Sequence, residues 1–159
     1  MPQDDSFIDF ELKHLTQTYK PTRALDLGAG QLRQSIEMAN EGIKVDAVEP
    51  KPPESIQLPA NLNLHITTVE DFEYGNNLYD LVLLRMVAQR LSPQTIINLF
   101  ESILPQTLTA KGLVYLVVPA KYALPANLEH NFIIRGSHEF DVQTSDFKVI
   151  RSLVLEKKN

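Results

Sequence analysis

The segment that decides the fold is ALDLGAGQLRQSIEMANEG, residues Ala24–Gly42. Its apolar beginning predicts a short buried strand, RALDL, that ends at Gly28. A helix is predicted from Gln31 to Glu41, with Gly42 as its C-terminal stop. Glycines such as Gly28 and Gly30 let the chain turn sharply and let a ligand approach the backbone, and the following helix points free N–H groups at the same place. The segment therefore predicts a strand–loop–helix unit with a ligand site at its loop.

Strands and helices alternate along the rest of the chain. Further strands are predicted at KVDAVE (44–49), LNLHITT (62–68), YDLVLL (79–84), GLVYLVVPA (112–120), NFIIRGSHEFDVQ (131–143) and FKVIRSLVLEK (147–157). Helices are predicted over Ser6–Tyr19 and from a cap at Ser92 followed by Pro93. This alternation is typical of an α/β fold with a mainly parallel sheet.

Composition excludes several classes of protein. The 159 residues fit a single domain, 1–159, in which an N-terminal helix within 1–20 forms a lid on a core of 21–159. The chain has no cysteine, and its 4 histidines lack ligand spacing, so we predict no metal site. A net charge of −5 argues against nucleic acid and acidic membranes as partners. With an acidic N-terminus and no membrane-spanning apolar run, a cytoplasmic protein is expected.

Two classes of cofactor compete for the glycine loop. A dinucleotide fingerprint, G-x-G-x-x-G, would place its third glycine at position 33, where the chain has Arg33. A large side chain there would block close packing of the helix on the strand. Asp26, two positions before the first glycine, is also no part of that fingerprint. The loop therefore disfavours a dinucleotide or nucleotide-sugar enzyme.

The motif LDLGAG resembles the first motif of class I S-adenosylmethionine-dependent methyltransferases, which has the form acid-x-Gly-x-Gly-x-Gly. The segments VDAVEP, TTVEDF, YDLVLLRMV and KGLVYLVVP resemble the family's following segments in order. The run DLGAGQLRQSIEMANEGIKVDAVEP is similar to small methyltransferases of the tellurite-resistance type. The resemblance implies S-adenosylmethionine as cofactor. It also implies a Rossmann-like, doubly wound, mainly parallel seven-stranded sheet with an antiparallel strand near the C-terminus.

The resemblance also implies a set of cofactor-binding residues. Glu49 would bind the ribose hydroxyls, and its distance along the chain from Gly30 suits that role in related folds. Asp71 would contact the adenine amino group, with Phe72 beside the ring. The full expected set is Asp26, Gly28, Ala29, Gly30, Leu32, Glu49, Pro50, Glu70, Asp71, Phe72, Leu84 and Arg85.

Leu32 is the clearest departure from the family pattern, because the third motif glycine should stand at its position. Two interpretations stay open. The leucine packs locally, away from the ligand, or it crowds the methionine end of the cofactor and weakens binding.

Methyl transfer from a sulfonium needs alignment of the nucleophile with the methyl group more than a catalytic motif, and the sequence identifies no catalytic residue. The Asn/Asp-Pro-Pro-aromatic run of nucleic-acid amino-methyltransferases is missing. Arg85 and Gln89 follow the fourth predicted strand, where they could contact a substrate. The short region after Pro119 predicts an open pocket for a small-molecule or partner-presented acceptor, or a pocket completed in an oligomer. The alternative is a non-catalytic module that binds S-adenosylmethionine or a protein partner.

Overall fold

The computed structural model describes residues 6–142 and 148–159, and these form a mixed β-sheet with helices on both faces. Within these residues the sheet has seven strands in the order β3-β2-β1-β4-β5-β7-β6. The strands are β1 (Arg23–Leu27), β2 (Lys44–Val48), β3 (Leu62–His65), β4 (Tyr79–Arg85), β5 (Leu108–Pro119), β6 (Phe132–Asp141) and β7 (Val149–Lys157). Strands β1 to β5 pair in parallel, and β7 is antiparallel to both of its neighbours. The expected mainly parallel, seven-stranded fold is confirmed.

Helices cover both faces of this sheet. They are α1 (Ser6–Tyr19), α2 (Arg33–Asn40), α3 (Pro93–Asn98), α4 (Leu104–Thr107) and the single turn α5 (Leu128–Asn131). Helices α1 and α2 contribute to the apolar cluster on one face, and α3 to α5 contribute to the cluster on the other. None of the helices in the described ranges is long and apolar enough to cross a membrane.

Several boundaries differ from the sequence-based expectation. Strand β3 ends at His65 rather than at 68, because the chain turns there and the Thr67 N–H donates to the His65 carbonyl at 3.1 Å. Helix α2 begins at Arg33 rather than Gln31, since the residue before it has a left-handed backbone. The predicted strand ends at Gln143 and Phe147 lie outside the described residues.

The helix predicted after Ser92 forms as expected at its start. The Ser92 hydroxyl accepts a 3.1 Å hydrogen bond from the Thr95 N–H and caps α3. The helical path then widens into a π-helical turn, Leu99–Ile103, before it continues as α4. The wider turn precedes Pro105, which lacks the N–H that a regular α-helix would direct to the carbonyl of Glu101. The apolar face predicted for this segment supplies the fully buried Leu99 and Phe100.

One buried charge lies on the sheet itself. The Asp46 side chain, on β2, is 5% exposed and accepts hydrogen bonds from Tyr79 Oη at 2.8 Å and Arg23 Nη2 at 3.1 Å. Its second oxygen lies 3.0 Å from Nε2 of His65. Burial would raise the pKa of Asp46, but the hydrogen bonds from His65, Tyr79 and Arg23 outweigh it and hold the pKa below its ordinary value. This network joins β1, β2, β3 and β4.

Candidate functional site

A cavity of about 350 Å³ opens at the carboxyl ends of the parallel strands. Ligands of open α/β sheets bind at this edge, where the strand order reverses beside β1. Four connections supply its wall: the loops after β1 and β2, the β3–β4 loop and the turn after β4. The lining residues are Gly28, Gly30, Glu49, Pro50, Thr68, Val69, Glu70, Arg85, Met86, Val87, Arg90 and Leu91.

The glycine loop is held against the end of β2. The N–H groups of Gly28 and Ala29 both donate to the Val48 carbonyl, at 2.8 and 3.0 Å. Gly28 has φ +67°, and a Cβ atom there would collide with the side chain of Val87. Gly30 has φ +59°, and a Cβ there would meet no atom within 4 Å. The left-handed backbone favours glycine at both positions, and at Gly28 the Val87 side chain also leaves no space for a Cβ.

Leu32 stands where the third motif glycine is missing and has a glycine-like backbone conformation. Its φ is +67°, the left-handed conformation that glycine adopts freely and that costs a residue with a side chain about 1–2 kcal/mol. Its side chain is 0% exposed, lies in the apolar cluster under α1 and α2, and does not line the cavity. Local packing is thus the interpretation that the structure supports, and crowding of the cavity is not.

Glu49 lines the cavity at the end of β2 and accepts hydrogen bonds from two backbone N–H groups. Oε1 accepts from the Gly30 N–H at 2.8 Å, and Oε2 accepts from the Lys51 N–H at 3.0 Å. A carboxylate oxygen can accept two hydrogen bonds, so each oxygen keeps capacity for a ligand donor. The strand-end acid that the sequence indicated is therefore both a wall residue and a support of the glycine loop.

Asp26 lies beneath the loop rather than in the cavity. The residue is 4% exposed, and its Oδ2 accepts a 2.6 Å hydrogen bond from the Ser35 hydroxyl on α2. Burial raises the pKa of this carboxyl, while the Ser35 hydrogen bond and the charge of Arg85 act in the opposite direction. This geometry suits a residue that orients the glycine loop rather than one that contacts a ligand in the cavity.

The structure separates the other expected residues into two groups. Pro50, Glu70 and Arg85 line the cavity together with the two glycines and Glu49. The expected residues that do not line it are Asp26, Ala29, Leu32, Asp71, Phe72 and Leu84. In this second group, Asp71 is exposed and its N–H donates to the Thr68 hydroxyl at 3.1 Å, while Phe72 packs edge-on against His65.

The sequence reading missed six wall residues, namely Thr68, Val69, Met86, Val87, Arg90 and Leu91. Most of these residues follow the carboxyl end of a strand, where ligands of open α/β sheets bind, so that rule could have indicated them. Gln89, considered as a substrate contact, does not line the cavity. Among the described residues, no group of three or more His, Asp or Glu side chains is placed to hold a metal ion.

Helix α1 is tied to α2 and to the sheet by side-chain hydrogen bonds. Near its start, Asp9 accepts from Arg33 Nη1 at 2.6 Å and from Gln34 Nε2 at 3.2 Å, which ties it to the beginning of α2. Two residues further along the helix, Glu11 accepts a 2.8 Å hydrogen bond from Tyr115 Oη of β5. The N-terminal half of α1 is thereby docked on the helix that follows the glycine loop.

The strand order and the position of the cavity define the class I S-adenosylmethionine-dependent methyltransferase fold, as the sequence resemblance implied. More narrowly, the chain belongs to the family described as tellurite resistance protein TehB, which matches residues 6–151. No curated protein sequence matches the chain.

Solved structures support the same fold. The 1,6-didemethyltoxoflavin-N1-methyltransferase of Burkholderia thailandensis, solved with S-adenosylhomocysteine, is similar with a TM-score of 0.76 and 15% identity over 92% of this chain and 76% of that one. A TehB-like S-adenosylmethionine-dependent methyltransferase of Corynebacterium glutamicum has a TM-score of 0.67 and 16% identity over 86% of this chain and 80% of its own. The N-methyltransferase NodS of Bradyrhizobium japonicum has a TM-score of 0.66 and 13% identity, covering 94% and 98%.

Proposed function

We propose that this protein transfers the methyl group of S-adenosylmethionine, bound in the cavity at the carboxyl edge, to a small-molecule acceptor. The observation that carries the proposal is the Gly30–Glu49 contact of 2.8 Å, which places a hydroxyl-binding carboxylate beside an open glycine loop in one cavity. Membership of the TehB family supports the same reaction class.

The cavity walls fit the parts of this cofactor. Glu49 keeps acceptor capacity on both oxygens and would hold the ribose hydroxyls. Glu70, with Thr68 and Val69, would face the adenine in place of Asp71, since Glu70 lines the cavity and Asp71 does not. The backbone at Gly28 and the guanidinium of Arg85 would flank the methionine end, where a cation suits a carboxylate.

The chemistry is a direct displacement. An electron pair of the acceptor forms a bond to the methyl carbon, the carbon–sulfur bond breaks, and its electrons leave with the thioether of S-adenosylhomocysteine. A protonated acceptor then loses its proton to solvent or to a nearby base. Since orientation supplies much of the rate in such a step, the residues of this chain contribute mainly by holding both reactants in line.

We further propose that residues 1–159 act as one domain, with α1 as a cap on the core. The contacts of Asp9 with Arg33 and Gln34 support this role, because they join the cap to the helix after the glycine loop. One argument for the non-catalytic alternative was that Leu32 crowds the cofactor. Its burial away from the cavity does not support that argument. A cytoplasmic location and the state of assembly stay predictions.

Calorimetry with S-adenosylmethionine, S-adenosylhomocysteine and NAD tests cofactor binding directly. We expect the first two to bind and NAD not to bind, and a folded protein that binds neither of the first two would refute the proposal. Transfer of a labelled methyl group can then be measured with two acceptor types. Tellurite is chosen from the description of the family, and an N-heterocycle is chosen from the Burkholderia enzyme. Cofactor binding without transfer to any acceptor would favour the non-catalytic module.

A further inference from the structure

The turn after β4 has an unusual backbone at a residue of the cavity wall. Met86 has φ +55°, a left-handed conformation that residues with a side chain adopt rarely. It lines the cavity together with Val87, whose side chain lies against Gly28. Strain of this kind persists only where the surroundings hold it, and it is concentrated at ligand sites.

Two hydrogen bonds hold Met86 in this conformation. Its N–H donates to the Val117 carbonyl of β5 at 2.8 Å. Its carbonyl accepts from the side-chain amide Nε2 of Gln89 at 3.0 Å. A carbonyl can only accept, so the amide nitrogen, rather than the amide oxygen, must face Met86.

The Gln89 amide has no second partner that would explain its position. Its Oε1 is buried, and within the described residues it accepts no hydrogen bond. A buried amide oxygen without a donor is unfavourable. Gln89 nevertheless keeps this orientation, in which its Nε2 donates to the Met86 carbonyl. Because Gln89 does not line the cavity, its effect on a ligand must pass through Met86 and Val87.

We propose that Gln89 is a positioning residue for the cofactor: its amide fixes the left-handed turn at Met86 and so sets the distance of the Met86–Val87 wall from the glycine loop. The wall is then formed before the ligand arrives, and binding does not have to order it. This inference rests on the proposed function, since it assumes that S-adenosylmethionine and its product occupy this cavity.

The test uses Gln89→Glu, which has nearly the same shape but cannot donate while it is ionised. At a pH of about 8 we expect S-adenosylhomocysteine to bind about tenfold more weakly than to the wild type, because two acceptors face each other. At a lower pH of about 5, a growing fraction of the carboxyl is protonated and can donate again, so the affinity relative to the wild type should rise. Gln89→Met, which cannot donate at any pH, should bind weakly throughout.

A matched control is Gln94→Glu on α3, where the exposed amide donates only to Asn98 at 3.0 Å. It should bind S-adenosylhomocysteine like the wild type at both pH values. Folded Gln89→Glu with wild-type affinity at a pH of about 8 would overturn the proposal, and so would wild-type affinity in folded Gln89→Met. Failure of the wild type to bind S-adenosylhomocysteine would instead refute the proposed function, so the two failures are distinguishable.

Discussion

The Gly30 N–H donates a 2.8 Å hydrogen bond to Oε1 of Glu49, and this contact fixes the glycine loop after β1 to the end of β2. The same carboxylate accepts from the Lys51 N–H through its other oxygen. Glu49 therefore shapes the cavity before any ligand is bound. Loss of its side chain should affect both the ligand contact and the position of the loop.

Glu49→Ala should weaken S-adenosylhomocysteine binding by about 1.5–3 kcal/mol, the range for hydrogen bonds to a charged group. Glu49→Gln should lose less, because its amide oxygen can still accept from the Gly30 N–H while the charge at the ribose is gone. Calorimetry gives both affinities. Glu54→Ala, an exposed acid in the same loop, is the control and should bind as the wild type does. Unchanged affinity in folded Glu49→Ala would show that Glu49 is not the ribose ligand.

Gly28→Ala and Gly30→Ala form a matched pair, because both glycines have a left-handed backbone. Either alanine should cost about 1 kcal/mol of conformational strain. Only the alanine at Gly28 also collides with Val87, so this variant should have the lower melting temperature. Adding Val87→Ala should recover part of that loss in Gly28→Ala and none in Gly30→Ala. Equal melting temperatures for the two single variants would contradict the packing of Val87 on the glycine loop.

The parts of the site that depend on sequence order were predictable, and the parts that depend on backbone conformation were not. A strand, two glycines and a strand-end acid place the loop and Glu49, because parallel strands carry their loops to one edge. Periodicity does not report a positive φ at Leu32 or Met86, since it describes only which side chains are apolar. Nor does it decide which of two adjacent acids, Glu70 or Asp71, faces the cavity after the irregular end of β3.

Asp46→Asn should lower the free energy of unfolding at neutral pH by about 1.5–3 kcal/mol, since the charge-assisted hydrogen bonds to Asp46 are weakened. The folded-state pKa of Asp46 is held below the unfolded value of 3.8, so this stability is present above that value. It is lost as the pH falls through the folded-state pKa. Denaturant unfolding should therefore show a difference from the wild type that shrinks as the pH falls below 3.8. Asp141→Asn, exposed on β6, should show little difference. A difference that persists unchanged in strong acid would contradict the network.

Leu32 combines two opposing contributions, and a pair of substitutions separates them. Leu32→Ala removes a fully buried side chain and keeps the left-handed backbone, so we expect a loss of about 2–5 kcal/mol in the free energy of unfolding. Leu32→Gly removes the same contacts but relieves about 1 kcal/mol of backbone strain.

The glycine variant should therefore melt at or above the alanine variant, in spite of the usual cost of glycine beside a helix. Neither should bind S-adenosylhomocysteine more tightly than the wild type, because Leu32 does not line the cavity. Thermal unfolding and calorimetry on the two variants measure these effects separately. Binding tightened tenfold in Leu32→Gly, about 1.4 kcal/mol, would show that the leucine restricts the cofactor. That result would favour the hypothesis that this protein is a non-catalytic module.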